Sequence, residues 1–273
     1  MKQRIVNGSL ILMLLLGLAI LLYPFVGDSI ANFRNKYEVQ QYQKSVKFLK
    51  SASAEKNWRE ARKYNAVLYQ QRHGIAVKQP VPYADILSFN KIMAILTIPK
   101  IGIKDEPIYH GVSMQVLARG LGHMAQTSIP IGGKSTHAAI SGHSSASDEK
   151  VFAKLEQLKY GDNFYIGILG KTHKYRVNQI RSVLPNDVKN LEIQKDKDYV
   201  TLITCTPIGV NSHRLLIRGE RVPMDGMEKS KFRPTILAII AAVALLLVVI
   251  LLLYLWWKRR KGREAHENIK NSI

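Results

Sequence analysis

Apolar and polar positions divide the chain into three regimes. Leu10 to Val26 and Ile236 to Trp257 are uninterrupted apolar runs without a charged residue. The second is 22 residues long, about 33 Å as a helix, enough to cross a hydrocarbon core of about 30 Å. Between them, residues 29–72 lack Pro and Gly and place Val46, Phe48 and Leu49, then Trp58, Ala61, Tyr64 and Leu68, at helix-like spacing. This predicts two helices with a break near Ser51 to Ser53. Gly74 to Tyr83, with Pro80 and Pro82, reads as a linker or a loop laid over something else.

From Ile92 the pattern changes to short strands with turn signals: 92–98, 138–141, 163–169, 175–184, 199–204 and 214–218, with Gly170-Lys171 as a hairpin turn. Asp148 to Leu158 reads as a helix capped by Ser147 or Asp148, with Val151, Phe152, Leu155 and Leu158 on its apolar side. Short strands with few helices predict a mainly β protein, a β-barrel.

Charge fixes the topology. Lys258, Arg259, Arg260, Lys261 and Arg263 follow Trp256-Trp257, which places the C-terminus in the cytoplasm under the positive-inside rule. Lys2 and Arg4 before the first run fit a signal peptide or an anchor. Tyr23-Pro24-Phe25-Val26-Gly27-Asp28 offers no small-x-small cleavage site, which favours the anchor. Either way residues 28–233 are expected outside the cytoplasm. The expected organisation is an anchor at 1–27, juxtamembrane helices and linker or lid at 28–91, a barrel at 92–222, a linker at 223–235, a span at 236–257 and a basic tail at 258–273.

The chain carries 40 Lys+Arg against 20 Asp+Glu, a formal net charge of +20, and most of the excess lies between the apolar runs. Such a surface suits phosphodiester polymers or anionic lipid head groups, and a passive basic anchor in the envelope is one reading of it. No helix-turn-helix, zinc finger or aromatic RNA-binding motif is present, and the expected topology removes the basic part from cytoplasmic nucleic acid.

The single cysteine, Cys205, cannot form an internal disulfide, so outside the cell it is deeply buried or has a chemical task. It ends the apolar run Val200-Thr201-Leu202-Ile203-Thr204, at a strand end opening into a loop. Arg214 begins the next apolar run, so an antiparallel return sets it beside the thiol. A thiol with an imidazole to move protons and a guanidinium to meet an oxyanion is the minimal set for acyl transfer. Among eight histidines, His143 follows Gly142 at a strand-to-loop junction. His137 lies at the opposite end of that strand, His213 should face away from Arg214, and His110 and His123 lie in Gly-flanked turns. Thr204 and Ser141 are candidates for supporting the site or contacting substrate. A zinc site at His137 and His143 lacks further ligands, and Gly132-Gly133-Lys134-Ser135 lacks the first Gly of a phosphate-binding loop.

At these residues the chain resembles the sortases, membrane-bound cysteine transpeptidases marked by TLxTC, here Thr201-Leu-Ile-Thr-Cys205. The continuation to Arg214-Leu-Leu-Ile-Arg-Gly219, with Ile98-Pro-Lys-Ile101, Pro107-Ile-Tyr-His-Gly111 and Ser141-Gly-His143, is similar to the class C, pilus-building branch. The resemblance implies an eight-stranded barrel flanked by two transmembrane helices, with Cys205 as nucleophile, His143 as proton-transfer residue and Arg214 as oxyanion donor. It implies LPxTG-like sorting signals as substrate, a pilin lysine or a wall-precursor amine as acceptor, and no metal or organic cofactor. Many class C relatives carry an Asp-Pro-aromatic lid. This chain has only Val81-Pro82-Tyr83, so Tyr83 either covers the cleft without the acid or begins the barrel with the site open.

Overall fold

The computed structural model describes residues 33–89, 91–144 and 151–228, and isolated helical positions in the two apolar runs. The predicted spans therefore lie almost wholly outside the described residues. No helix among the described residues is long and apolar enough to cross a membrane. The chain divides into two compact units, Met1–Lys231 and Phe232–Ile273, and the first contains everything below.

Helix α1 is described over 33–47 and α2 spans Ser51–Arg72, so the break falls at 48–50, just before the predicted serines. On α2 the spacing buries Trp58, Ala61, Tyr64 and Leu68 as expected, and adds Asn65, whose amide bonds both backbone groups of Ile129. On α1 the buried face is Val39 and Tyr42 with Val46 behind them, packed on Ile92 and Tyr109. Phe48, expected on the apolar face, is 80 % exposed, because the chain has already left the helix there. Both helices thus share cores with the barrel. The Pro-rich stretch ends in a short 3-10 turn at Tyr83–Asp85 and lays Ile86 and Leu87, fully buried, against the barrel.

Eight strands follow: β1 Ile92–Ile98, β2 Ile103–His110, β3 Leu121–His123, β4 Thr136–Ser141, β5 Asn163–Ile168, β6 Lys171–Val183, β7 Asp198–Thr206 and β8 His213–Val222. They close in the order β1-β2-β3-β4-β7-β8-β6-β5. The pairs β2–β3 and β4–β7 are parallel and the others antiparallel. A one-turn helix α3, Met114–Leu117, capped by Ser113, links β2 to β3.

Two strands escaped the sequence pattern. In β2, Lys104-Asp105-Glu106-Pro107 breaks the apolar alternation, and β3 is only three residues long. His110 and His123 are accordingly the last residues of β2 and β3 rather than turn residues. Strand β6 begins four residues earlier than expected, since Lys171 to Lys174 look solvent-facing although His173 and Lys174 are buried. The β5–β6 turn is Leu169-Gly170, both at positive φ, one position before the predicted pair.

The predicted helix at Asp148–Leu158 is corrected: its described part is a series of turns and a 3-10 segment, Leu155–Gln157. Phe152, Leu155 and Leu158 all enter the barrel core, and the Phe152 N–H donates to the carbonyl of His143 instead of to a helical neighbour. Residues 223–228 are fastened to the barrel rather than forming a free linker. Asp225 pairs with buried Lys174, and the Glu228 carboxylate accepts from Asn163 Nδ2 at 2.5 Å.

Candidate active site

Side-chain alternation on β7 sorts its residues between two faces. Val200 and Leu202 enter the main core, whereas Ile203 joins Ala139 of β4 and Leu216 of β8 in a small cluster on the opposite face. Cys205, two positions beyond Ile203, shares that second face and is partly exposed. Its antiparallel partner on β8 is Arg214, and Ile203 pairs with Leu216, so Arg214 shares the face too.

On the other side of β7 the parallel ladder runs at constant offset, Thr136 with Asp198 through Ser141 with Ile203. The Gly142 N–H extends it by donating to the Ile203 carbonyl at 3.0 Å. Continued by one step, the same offset sets His143 level with Cys205. His143, Cys205 and Arg214 thereby occupy adjacent chain segments at one end of one face, above a floor of Ala139, Ile203 and Leu216, with neighbouring strands about 4.8 Å apart.

The turn at His143 is held from three directions. Thr204, buried on the inner face, donates its hydroxyl to the Gly142 carbonyl at 2.8 Å, and the Phe152 N–H holds the His143 carbonyl at 3.0 Å. A Cβ on Gly142 would lie 2.6 Å from Leu121 Cδ2 and 2.8 Å from Phe152 Cδ2, so only Gly lets this segment pass. Next to the thiol, Thr206 Oγ1 donates to Glu156 Oε1 at 2.6 Å, tying β7 to the 3-10 segment. Sequence reading missed Glu156 and Phe152, because the stretch looked helical. Ser141 is half-buried beside Gly142, at the last residue of β4.

Arg214 Nη1 donates to the carbonyls of Asn211 and His213, both at 3.1 Å, which fixes the guanidinium against the β7–β8 loop. None of the other described histidines joins this end of the face. His137 is buried, donating Nδ1–H to Glu192 O at 2.9 Å and accepting from Thr201 Oγ1 at 2.7 Å, and burial pushes it down to about 4. His213 pairs with Thr206 and so alternates to the other face from Arg214, as expected. Gly132-Gly133-Lys134-Ser135 leads into β4, not a helix, and the Gly133 N–H is taken by Asp198 Oδ2 at 2.7 Å.

Pro82 and Tyr83 sit at the C-terminal ends of β2 and β3. The Tyr83 hydroxyl lies 2.9 Å from His123 Nδ1, and the Gly111 N–H donates to it at 3.1 Å. His123 gives its Nε2–H to Ser128 O at 2.8 Å, so Nδ1 is the acceptor and Tyr83 the donor. Burial holds His123 neutral, at about 4. Tyr83 also packs on His110, centroid to centroid 5.2 Å.

A closed mixed barrel that pairs a thiol with a guanidinium across two strands, beside the segment carrying His143, has the features of a cysteine acyl-transfer enzyme. The sortase-domain family profile matches residues 96–222. Sortase C1 from Streptococcus agalactiae is structurally similar, with TM-score 0.64 and 40 % identity, covering 68 % of this chain and 98 % of that one. Sortase C1 of the group B Streptococcus (GBS) pilus island 1 gives TM-score 0.64 and 35 % identity, over 73 % and 96 %. Sortase A of S. agalactiae serotype III is 26 % identical over 201 residues, 72 % of this chain and 76 % of that protein. The chain belongs to the sortase family, the cysteine transpeptidases.

Proposed function

We propose that this sortase is anchored in the membrane at both ends, with the barrel outside and both termini in the cytoplasm, and that it polymerises pilins. Cys205 attacks the Thr carbonyl of an LPxTG-like sorting signal. Arg214 donates to the oxyanion of the tetrahedral intermediate, and His143 protonates the departing Gly amine as the C–N bond breaks, leaving a thioester. A lysine amine of a second pilin attacks that thioester, the thiolate leaves, and an isopeptide bond results. The thioester keeps acyl-transfer potential, so the cycle needs no nucleotide. None of these steps calls on a metal or organic cofactor.

The observation that carries the reading is the cross-strand pair Cys205 and Arg214, with His143 one residue beyond the Gly142 bond that ends the β4–β7 ladder. Similarity to sortases C1 supports the pilus branch. A second reading, attachment of surface proteins to a wall-precursor amine, draws on the sequence similarity to sortase A. The two share Cys205 chemistry and differ in the acceptor.

The test incubates the detergent-solubilised chain with an LPxTG-type peptide and reads the mass of the Cys205 peptide. An acyl adduct absent from Cys205→Ala is expected. Lysine-bearing pilin should then discharge it, whereas discharge only by a wall-precursor amine moves the protein to the second reading. A reactive thiol that takes no sorting peptide would sink both.

A further inference from the structure

At the barrel end remote from Cys205 lies a second cleft of about 600 Å³, lined by Trp58 and Arg62 of α2, the Gly132–Lys134 turn, His173, Asp198, Arg221 and residues 222–224. Asp198 and Cys205 are separated by seven positions of β7, about 23 Å of strand, so the cleft is separate from the transpeptidase site.

Its lining charge is one-sided. Arg62, Lys134 and Arg221 face it against the single lining carboxylate of Asp198, and Arg62 also pairs with Glu55 Oε1 on its own helix at 2.7 Å. That carboxylate is already engaged: Oδ1 accepts from Tyr175 OH at 3.1 Å, Oδ2 accepts from Gly133 N–H at 2.7 Å, and Arg221 Nη1 stands 3.8 Å away. Arg221 is further held by the ring nitrogen of His173 and lies over the Tyr175 ring, so its guanidinium is fixed before any ligand arrives. Burial and the neighbouring cations push His173 down to about 4, which keeps it an acceptor for Arg221. A Cβ on Gly132 would lie 2.7 Å from Asp198 Oδ2 and 2.8 Å from Arg221 Nη1, so this turn requires Gly in order to lie against the network. Lys134, exposed at its tip, belongs to no ion pair among the described residues.

The rest of the lining is apolar: Ile131, Val222, Pro223 and Met224. A ligand that suits both parts carries an anionic phosphate next to a less polar body. Nucleobase stacking is disfavoured, since Trp58 has His173 stacked at 5.8 Å and Lys171 over its ring at 5.1 Å. Chain connectivity selects the source. Glu228 is fixed on the barrel, its N–H donating to Tyr165 OH at 3.2 Å, and Ile236 lies only eight positions further along the chain. Eight residues span at most about 29 Å. Where 236–257 cross a membrane, as proposed above, the strap that lines the cleft is tethered close to the lipid surface.

We propose that this cleft binds the phosphodiester head group of an anionic phospholipid, seating the phosphate between Arg62, Lys134 and Arg221. The inference rests on the membrane-anchored reading. It sets the barrel with Cys205 directed away from the bilayer.

The experiment reconstitutes the full chain in nanodiscs of phosphatidylcholine with phosphatidylglycerol, including a trace of phosphatidylglycerol carrying a diazirine on its head group. Photolabel is expected on the peptides holding residues 131–134 and 222–224. The double variant Arg62→Gln, Lys134→Gln should lose about tenfold of that label, since each basic residue near an anionic surface contributes several-fold in affinity. The variant should transpeptidate at the wild-type rate, which shows it folded. Label confined to the 236–257 peptide, or undiminished in the double variant, overturns the proposal. Displacement of the label by soluble glycerol phosphate at low concentration overturns the lipid source. A chain that does not enter nanodiscs defeats the anchored reading, and the proposal with it, while insertion without cleft labelling defeats the proposal alone.

Discussion

Cys205 and Arg214 are direct cross-strand partners, the last ladder pair but one before the β7–β8 loop. The guanidinium is braced by two carbonyls of its own loop, both through Nη1, and has no ion pair among the described residues. That suits a donor that meets charge only when an oxyanion forms. We expect Arg214→Ala to lower kcat by about 10² to 10³ with little change in KM, and Arg214→Lys to restore only part, because an ammonium cannot reproduce the fork. Steady-state kinetics on a sorting peptide decide it, and a near-normal Arg214→Ala rate would remove the assigned role.

Thr204 should matter to catalysis without touching the reaction. Thr204→Val keeps the shape but leaves the buried Gly142 carbonyl without its donor, at a cost of about 1–3 kcal/mol. The freed segment carries His143, so kcat should fall together with stability, and Thr204→Ser should recover both. Urea denaturation beside kinetics gives the two readouts, and a Val variant of unchanged stability contradicts the bond's importance.

Tyr83 is committed to His123 and Gly111 at the C-terminal ends of β2 and β3. We therefore expect Tyr83→Ala to leave the rate of Cys205 alkylation within about twofold of wild type while lowering Tm. A large acceleration would instead assign Tyr83 a covering role over the thiol.

Acid should destabilise the barrel as pH falls from 6.5 toward 4. His123, His137 and His173 are each pushed from 6.5 to about 4, chiefly by burial. Between those values the unfolded chain takes up protons that the folded one refuses, so their contribution is full above pH 6.5 and fades as pH falls toward 4. For fully buried His123 this amounts to about 3 kcal/mol. Glu106 acts oppositely. Burial raises it from 4.5 to about 7, so its contribution is full below pH 4.5 and is lost as pH rises through 7. Melting curves should show Tm dropping from pH 7 to pH 5, and Glu106→Gln should steepen the drop. A flat profile would contradict the burial of these rings.

The strands that carry the chemistry were the legible ones. Val200 to Cys205 and Leu215 to Ile217 are apolar runs because they are covered on both faces, and the nine positions from Cys205 to Arg214 fit a six-residue return, 207–212. His143 could be chosen from its Gly142 junction. Strand β2 was hidden by Glu106, a half-buried carboxyl that reads as a surface charge. The clamp by Phe152 and Glu156 was hidden because apolar residues at three-residue intervals suit a helix as well as turns that dip into a core. The cleft at Arg221 draws on α2, a glycine turn and three strands, and no local pattern announces such an assembly.

The β4–β7 ladder has a further consequence for the folding chain. Each of its pairs joins residues 62 positions apart, Thr136 with Asp198 and Ser141 with Ile203. Closing a loop of that length costs about 4 kcal/mol before the first contact forms, and parallel ladders of high contact order form late. Until it zips, the thiol and the imidazole belong to distant parts of a flexible chain. Competence for acyl transfer is therefore a property of the finished barrel, and a partly folded chain carries a thiol without the neighbours that the barrel brings to it.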